Sequence, residues 1–336
     1  MKQIKSVFKA KEVGVFIALI LLSVIFSVAS PNFFQSDNIL NVTRQMAVTS
    51  LVSIGMTFVI ITGGIDLSVG AIIAVVGISV ASLLNAGVPL SVSCFIGLII
   101  GAAIGAVNSI FISKLNMSPF ITTLGTMTIL RGLGFLYTGG YPIYNLPKAF
   151  IVLGQGYFWG IPIPTIFLLF IAVIAHITLK FTPFGRHVYA VGGNKDASLF
   201  AGVKVTKISS LVYIISGIVC PMAAILQTSR IGSALPTMGL GSEMDAIAAV
   251  IIGGAAMSGG SGTILGTILG AGVLAVLNNG LSLLNVNSYI MQIVTGVVVI
   301  LAISIDKLRK ILSQHREVVL SRETLLTKRK NSSRNQ

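Results

Sequence analysis

The sequence is short of charge, and above all of acid. Only 10% of its 336 residues are charged, and nine Asp and Glu stand against 23 Lys and Arg. Its two cysteines, Cys94 and Cys220, lie in apolar runs without metal-ligand spacing, and the three histidines are scattered, so we expect neither a disulfide framework nor a metal site. The chain also lacks a GxxxxGK[ST] phosphate loop, an HExxH helix, a GxSxG elbow and a GxGxxG turn opening a βαβ unit. These absences argue against an enzyme.

Long uncharged apolar stretches fill most of the chain, which is 54% hydrophobic. A helix crosses a bilayer with roughly 20 mostly apolar residues, because hydrocarbon offers no partner to backbone groups. The sequence therefore predicts an all-α polytopic membrane protein of about ten transmembrane helices. The predicted spans are 13–30, 46–63, 67–85, 92–113, 119–138, 163–180, 208–227, 244–258, 262–284 and 288–305.

Lys and Arg indicate the orientation, since they concentrate at the cytoplasmic ends of spans. With a cytoplasmic N-terminus, 19 of the 23 cations fall inside, and only Arg44, Lys148 and Arg230 fall outside, with Arg131 within a span. This distribution explains the net charge of +14 without a nucleic-acid partner. We predict a multi-pass membrane protein with both termini cytoplasmic. Its parts are a basic N-terminus (1–12), a transmembrane domain (13–305) with a cytoplasmic loop (181–207), and a basic tail (306–336).

The loop between the sixth and seventh spans predicts a short cytoplasmic helix. Asn194 is a good N-cap, Asp196 falls in the first turn where the helix dipole favours an anion, and Gly202 is placed to end the helix. The spacing Asp196-Ala197-Ser198-x-x-x-Gly202 resembles the EAA-x-x-x-G loop by which ABC importer permeases dock on their ATPases. A plain polar connector is the alternative, although structureless loops of this length are uncommon.

Four segments in order resemble the ribose-type monosaccharide ABC transporter permeases over nearly the whole chain. They are 63–70 (GGIDLSVG), 116–126 (NMSPFITTLGT), Gly185-Arg186, and 252–263 (IGGAAMSGGSGT). Asp196 and Ser198 depart conservatively from the older docking consensus. The resemblance implies a pair of permease subunits, as a homodimer or with a related chain, together with cytoplasmic ATPase subunits and an extracytoplasmic sugar-binding protein. It implies no cofactor in this chain, because the partner ATPase binds ATP and Mg.

Two glycine clusters share one pattern and suggest two weakly related halves. The helix-break candidates are Gly63, Gly64, Asp66, Ser68 and Gly70 in the first cluster and Gly253, Gly254, Ser258 and Gly260 in the second. These breaks could let helices shift during transport, or they could serve close helix packing. Asp66 can also cap the third span.

The remaining candidates follow from the chemistry of transport. A neutral sugar needs hydroxyl and amide partners, so the candidate path residues are Asn108, Thr122, Thr123, Thr126, Asn278, Asn279 and Gln292, each of which could instead bond helix to helix. Glu243 and Asp245 lie on the outer side, where they could form salt bridges with the docking sugar-binding protein. The candidate ATPase-coupling residues are Gly185, Arg186, Asn194, Asp196, Ala197, Ser198 and Gly202.

We therefore expect the channel subunit of an ATP-driven importer for a ribose-like pentose or hexose, with no catalytic residues. Another small polar solute, such as autoinducer-2 or a nucleoside, is the alternative within the family. An ion-coupled secondary carrier is the alternative from another class. Such a carrier usually has ionisable groups facing an internal pathway, whereas Asp66, Glu243 and Asp245 are predicted at span ends.

Overall fold

The computed structural model describes residues 2–301 and 304, so the predicted tail 306–336 lies outside the described residues. Contacts divide the chain into a unit through Met291 and a second unit from Gln292. The helices are α1 (Lys2–Ala29), α2 (Ser36–Ile61), α3 (Val69–Asn85), α4 (Leu90–Ser109), α5 (Pro119–Thr138), α6 (Lys148–Gln155), α7 (Ile163–Phe181), α8 (Pro183–Gly193), α9 (Lys195–Phe200), α10 (Val205–Ile231), α11 (Ser242–Ile252), α12 (Ile264–Leu283) and α13 (Ser288–Leu301). A π-helix, Ile110–Lys114, continues α4. Strands β1 (Tyr157–Phe158) and β2 (Ile161–Pro162) form a small antiparallel hairpin.

The prediction of an all-α polytopic membrane protein is confirmed, but the count of ten spans is not. Among the described residues, seven helices are long and apolar enough to cross a bilayer, and α3 and α13 are shorter apolar helices. The predicted span 244–258 differs most, because α11 ends at Ile252 and is 11 residues long. Eleven residues rise about 16 Å, too little to cross the hydrocarbon core. Gly253 and Gly254 end the helix although the apolar composition continues.

The core of the first unit is formed by α2, α3, α10 and α12, while α1, α4, α5 and α7 turn apolar side chains outward. Helix α10 packs on α2, α3 and α4. Its contact with α4 is close because glycines face each other there: a Cβ at Gly105 would lie 2.5 Å from the carbonyl oxygen of Tyr213. In lipid the hydrophobic effect cannot drive helices together. Small residues at the crossing allow the close van der Waals packing that does so instead. The outward apolar faces are suited to contact with lipid.

The loops collect at two ends of this unit. At one, the α8–α9 end, the Gly192 region lies against Ile61 and Gly260, and Thr263 donates a 2.7 Å hydrogen bond to Glu12. At the other, the α6 end, Arg44 donates to the carbonyl oxygen of Gln155 (2.9 Å). The loops that the sequence predicts to be cytoplasmic thus lie together, opposite those predicted to be external.

The segment 139–162 at the α6 end is more ordered than its glycines and prolines suggest. It contains α6 and the β1–β2 hairpin, and the buried ring of Phe150 anchors α6 to the rest of the unit. Ser229 of α10 donates to the carbonyl oxygen of Phe150 (2.5 Å) and accepts from the backbone N–H of Gly154 (2.6 Å). Trp159 and Tyr157 remain exposed, as expected for aromatic rings at a membrane–water interface.

Candidate coupling and translocation site

Helix α8 starts where α7 stops because Thr182 and Pro183 set its first turn. The Thr182 hydroxyl accepts the backbone N–H of Gly185 at 3.2 Å, and Pro183 occupies a position where no N–H is needed. Gly185 lies directly against the carbonyl groups of Thr178 and Leu179, and a Cβ there would overlap them. The turn from the long apolar helix α7 into α8 is therefore tight.

The short helix predicted after Asn194 is present as α9. The Asn194 side chain accepts the backbone N–H of Ala197 at 2.8 Å, and the Ser198 hydroxyl donates to the Asn194 carbonyl oxygen at 2.8 Å. Gly202 ends the turn with φ +80°, a left-handed conformation that suits glycine, and its N–H bonds to the carbonyl oxygen of Leu199. Asp196 lies in the first turn.

Helix α9 presents apolar side chains to solvent. Phe200 is 89% exposed and Leu199 61% exposed, beside the charged residues Lys195 and Asp196. An exposed aromatic ring on a six-residue helix contributes nothing to the core of this chain. Exposed apolar groups rimmed by charge are typical of a surface that contacts another protein.

The two glycine clusters meet beneath the C-terminus of α8. The backbone N–H of Gly260 donates to the carbonyl oxygen of Ile61 at 2.8 Å, so the second cluster is bonded to the end of α2, just before the first cluster. Gly192 fills the remaining space, since a Cβ on it would overlap both of those atoms. One contact point thus joins α8, the end of α2 and the segment after α11.

Tyr189 makes a second connection between α8 and the segment after α11. Its hydroxyl donates to the carbonyl oxygen of Gly262 at 2.7 Å. Burial, and next the nearby carboxylate of Glu12, raise the pKa of Tyr189 to about 12, so the phenol keeps its proton and remains a donor. Two side-by-side contacts, at Tyr189 and Gly192, constrain α8 relative to this segment more than either alone.

The two clusters share a sequence pattern but not one conformation. Ser68 is the N-cap of α3 and Gly70 is already helical, whereas Ser258 and Gly260 lie in irregular chain that continues to Thr263. Each cluster still separates two helices, α2 from α3 and α11 from α12. The two breaks are therefore alike in separating two helices and different in length, and the relation between two halves stays a prediction.

Asp66 is fully buried at the first break and is held by serine side chains. Its carboxylate accepts the backbone N–H of Ser68 (3.0 Å), the Ser68 hydroxyl (2.5 Å) and the Ser216 hydroxyl of α10 (3.0 Å). Asn108 of α4 donates to Ser68 at 2.9 Å, and Thr126 of α5 donates to Asn108 at 2.6 Å. This Asp66 network links the start of α3 to α4, α5 and α10. These side-chain hydrogen bonds hold the start of α3 at the point where helical backbone hydrogen bonding from α2 is interrupted.

The candidate path residues occupy three kinds of place. Asn108, Thr123 and Thr126 belong to the Asp66 network, with Thr123 accepting the backbone N–H of Leu67 at 3.1 Å. Asn279 exchanges two amide hydrogen bonds with Asn38 of α2 (2.8 and 3.0 Å). Neighbouring Asn278 is half-buried, Thr122 is buried, and Gln292 is exposed at the start of the second unit. For the bonded residues, this arrangement favours the helix-to-helix alternative over an open path.

Glu243 and Asp245 lie at the start of α11 and are half-buried rather than fully at the surface. One carboxylate oxygen of Glu243 is buried, beside Gly70 of α3. Arg131, which the sequence places within a span, donates to the carbonyl oxygens of Met238 (2.6 Å) and Pro236 (3.0 Å). One oxygen of the Glu243 carboxylate is therefore closed to a docking protein in this arrangement, and a docking role for the pair stays a prediction.

A cleft of about 780 Å³ opens at the α8–α9 end. It lies between the first glycine break, the π-helix, α9 and the start of α10, and its charged lining residues are Lys114, Lys195 and Asp196. No sequence pattern predicts the π-helix, a form that often marks functional positions within helices. Within the described residues, no three His, Cys, Asp or Glu side chains are grouped to hold a metal ion.

Comparison with known proteins gives consistent matches. A family model described as the permease component of the branched-chain amino acid transport system matches residues 38–303. The chain is 46% identical over 299 residues to the ribose import permease protein RbsC of Bacillus subtilis (strain 168), covering 88% of this chain and 93% of that protein. It is 37% identical to the D-allose transport system permease protein AlsC of Escherichia coli (strain K12), covering 88% and 91%. It is 34% identical to the galactose/methyl galactoside import permease protein MglC of the same strain, covering 89% and 95%. No solved structure matches.

Proposed function

This chain belongs to the family of permease components of the branched-chain amino acid transport system, and on that premise we propose how it takes part in transport. It is a multi-pass membrane transport subunit of an ABC importer and not an enzyme. Its proposed solute is a monosaccharide, a ribose-like pentose or a hexose. The names of the similar proteins, which cite ribose, D-allose and galactose, support this class without selecting one sugar.

The contact of α8 with both glycine breaks is the observation that carries the proposed mechanism. A partner that binds α9 and moves it would displace α8, which is continuous with α9 except for Asn194. Through Gly192 and Tyr189, that displacement would reach the end of α2 and the segment before α12. Rigid elements joined at a break convert a small movement at one end into a change of access at the other.

The partner at α9 is proposed to be a cytoplasmic ATPase subunit, which binds ATP and Mg and supplies the energy. The exposed ring of Phe200 and the exposed side chain of Leu199 provide the apolar centre of the docking surface. The remaining partners are a second permease subunit and an extracytoplasmic sugar-binding protein that meets the α6 end. The α8–α9 end is accordingly the cytoplasmic one, in a bacterial inner membrane.

The test uses proteoliposomes that hold this chain with its ATPase and binding protein. Gly202→Asp should abolish sugar-stimulated ATP hydrolysis and uptake while the chain still inserts, because it adds a charge and backbone strain where α9 ends. Phe200→Ser should weaken retention of the ATPase on the immobilised permease, whereas Tyr141→Ser, an exposed aromatic change at the α6 end, should leave it unchanged. Uptake that persists without any ATPase would refute the importer and favour an ion-coupled carrier.

A further inference from the structure

A small polar cavity lies between α2, α10 and α11, toward the α6 end and well apart from the cleft at α9. Its volume is about 180 Å³. Six of its lining side chains are polar: Gln45, Thr49, Gln227, Arg230, Ser242 and Asp245. Val48 and Val52 complete the wall on α2. From Gln45 to Val52 the cavity extends about 10 Å along α2, at the helical rise of 1.5 Å per residue.

Two side chains that line the cavity each have a hydrogen-bonding atom without a partner among the described residues. Gln227 Oε1 and Arg230 Nε are buried and have no hydrogen-bond partner in the part of the chain that the structure describes. Leaving such groups unpaired away from water costs free energy, more for a charged group than a neutral one. A polar occupant that draws these two side chains toward it would remove that cost.

The charges of the cavity favour a neutral occupant. Arg230 and Asp245 are its only ionisable lining groups, so their formal charges cancel. A cation or an anion would meet one attractive and one repulsive group, whereas a neutral polyol can accept from the guanidinium and donate to the carboxylate. Gln45, Gln227, Thr49 and Ser242 add both donors and acceptors, which match hydroxyl groups of either role.

The size of the cavity sets an upper limit on the occupant. At roughly 30 Å³ for each molecule of liquid water, the cavity has room for about six waters. That volume suits one small polyol of single-ring size and excludes an oligosaccharide. The six polar lining side chains are half-buried, so the cavity lies near the surface of the unit.

We propose that the cavity bounded by Thr49, Gln227, Arg230 and Asp245 is a binding subsite for a single neutral monosaccharide in the outer half of the permease. The identity of the ligand rests on the proposed function, but its occupancy can be tested without transport. The subsite would receive the sugar before the breaks at the other end change conformation. Movement of α2 and α11, which each adjoin a glycine break, would then alter the subsite directly.

The first experiment measures occupancy by protection of an introduced cysteine. Thr49→Cys is made in a Cys94→Ser, Cys220→Ala background, and the full chain in proteoliposomes is treated with a small methanethiosulfonate. Thr43→Cys is the matched control, since Thr43 is a half-buried threonine of the same helix that does not line the cavity. Ribose, D-allose and galactose are added separately, with glycine betaine at equal osmolarity.

Protection should be selective for position and solute. One sugar is expected to slow modification of Thr49→Cys about tenfold at ten times its dissociation constant. The reason is that the fraction of unoccupied sites falls by the factor 1 + [L]/Kd. Thr43→Cys and the betaine control should show no slowing. Equal protection at both positions, no protection by any sugar, or a Thr49→Cys that never reacts would each overturn the subsite.

A second measurement keeps the subsite testable if Thr49→Cys disturbs the fold. Thr49→Val removes one hydroxyl at constant shape, and uptake by the complete complex should fall several-fold, with Thr43→Val unchanged. Uptake unaffected by Thr49→Val, in a complex that still requires ATP, would overturn the subsite and leave the importer intact. Uptake without the ATPase would instead refute the proposed function, so the two failures are distinguishable.

Discussion

At the scale of single residues, the Arg131 side chain joins α5 to the segment between α10 and α11 through two hydrogen bonds. An arginine inside an apolar stretch must face protein, water or the interface, and that requirement follows from the cost of a charge in hydrocarbon. The partners are the carbonyl oxygens of Pro236 and Met238, more than a hundred residues away. No local pattern encodes a backbone acceptor at that distance. The sequence therefore predicts the kind of environment that Arg131 needs, and only the fold shows which carbonyl oxygens provide it.

Arg131→Met should loosen the segment between α10 and α11. Loss of two hydrogen bonds from a charged donor should cost about 2–4 kcal/mol locally, since such bonds contribute more than neutral ones. Hydrogen exchange measured by mass spectrometry should become faster in residues 232–241. Arg131→Lys should restore part of the protection, because a lysine can reach one carbonyl. Unchanged hydrogen exchange in Arg131→Met would show that these two hydrogen bonds do not hold the segment in place.

Asp66→Asn should destabilise the first unit. An asparagine amide group would point at least one donor toward the Ser68 and Ser216 donors that the carboxylate now accepts. We expect the free energy of unfolding to fall by about 2–3 kcal/mol, the range for a buried hydrogen-bonded group left mismatched. Unfolding in mixed detergent micelles measures this. Asp37→Asn, on the exposed first turn of α2, is the control and should change it by under about 1 kcal/mol.

Gly192→Ala and Gly193→Ala form a matched pair in the last turn of α8. A Cβ at position 192 would overlap the Ile61 carbonyl oxygen, whereas a Cβ at 193 would meet nothing within 4 Å. Gly192→Ala should lower stability by about 1–3 kcal/mol and reduce coupled ATP hydrolysis, because backbone must move to admit it. Gly193→Ala should be neutral or slightly stabilising, as alanine favours a helix. Equal effects of both changes would exclude the contact as the cause.

At the scale of elements, α9 was predictable and the short length of α11 was not. Capping is local, so Asn194 and Gly202 specified the bounds of α9 within a few residues of sequence. Apolar composition, in contrast, continues beyond Ile252, and hydropathy alone extends α11 through a break that two glycines impose. Helix α6 escaped prediction for a related reason: its stability comes from packing Phe150 and from Ser229 of α10.

Asn194→Ala should fray α9 and weaken coupling without abolishing it. Loss of the cap to the Ala197 N–H should cost about 1 kcal/mol of local stability. The ratio of sugar transported to ATP hydrolysed should fall, and Asn194→Ser, which keeps a capping oxygen, should recover most of it. A ratio that is unchanged in Asn194→Ala would show that the helix need not be preformed before the partner binds.

At the scale of the whole molecule, the positions of the cations and the grouping of the loops distinguish the same two ends, the α8–α9 end and the α6 end. Lys114, Arg186 and Lys195 occur in or beside the elements of the α8–α9 end, and the few cations of the opposite end include Arg44 and Arg230. The sequence alone could predict this division because positive charge is retained on the cytoplasmic side. It could not predict that the two glycine breaks, some 190 residues apart, meet beneath one short helix.

The proposed orientation predicts which side a membrane-impermeant thiol reagent can reach. In a background in which Cys94 is Ser and Cys220 is Ala, Phe200→Cys should be modified only in inside-out vesicles. Trp159→Cys, equally exposed at the α6 end, should be modified only in right-side-out vesicles or intact spheroplasts. The reverse pattern would invert the topology, and modification of both from one side would exclude a membrane between them.

The length of α11 also bears on how the chain is made. Eleven residues are too few for a segment to be released into lipid by itself, so α11 has to wait for neighbours during biosynthesis. Its partners α2 and α3 are already synthesised, and α12 follows directly. Helix α12 is the last of these neighbours to leave the ribosome. We therefore expect α11 and α12 to enter the bilayer together as one hairpin. A nascent chain halted before Ile264 would leave α11 outside the membrane, where quality-control proteases could cut it.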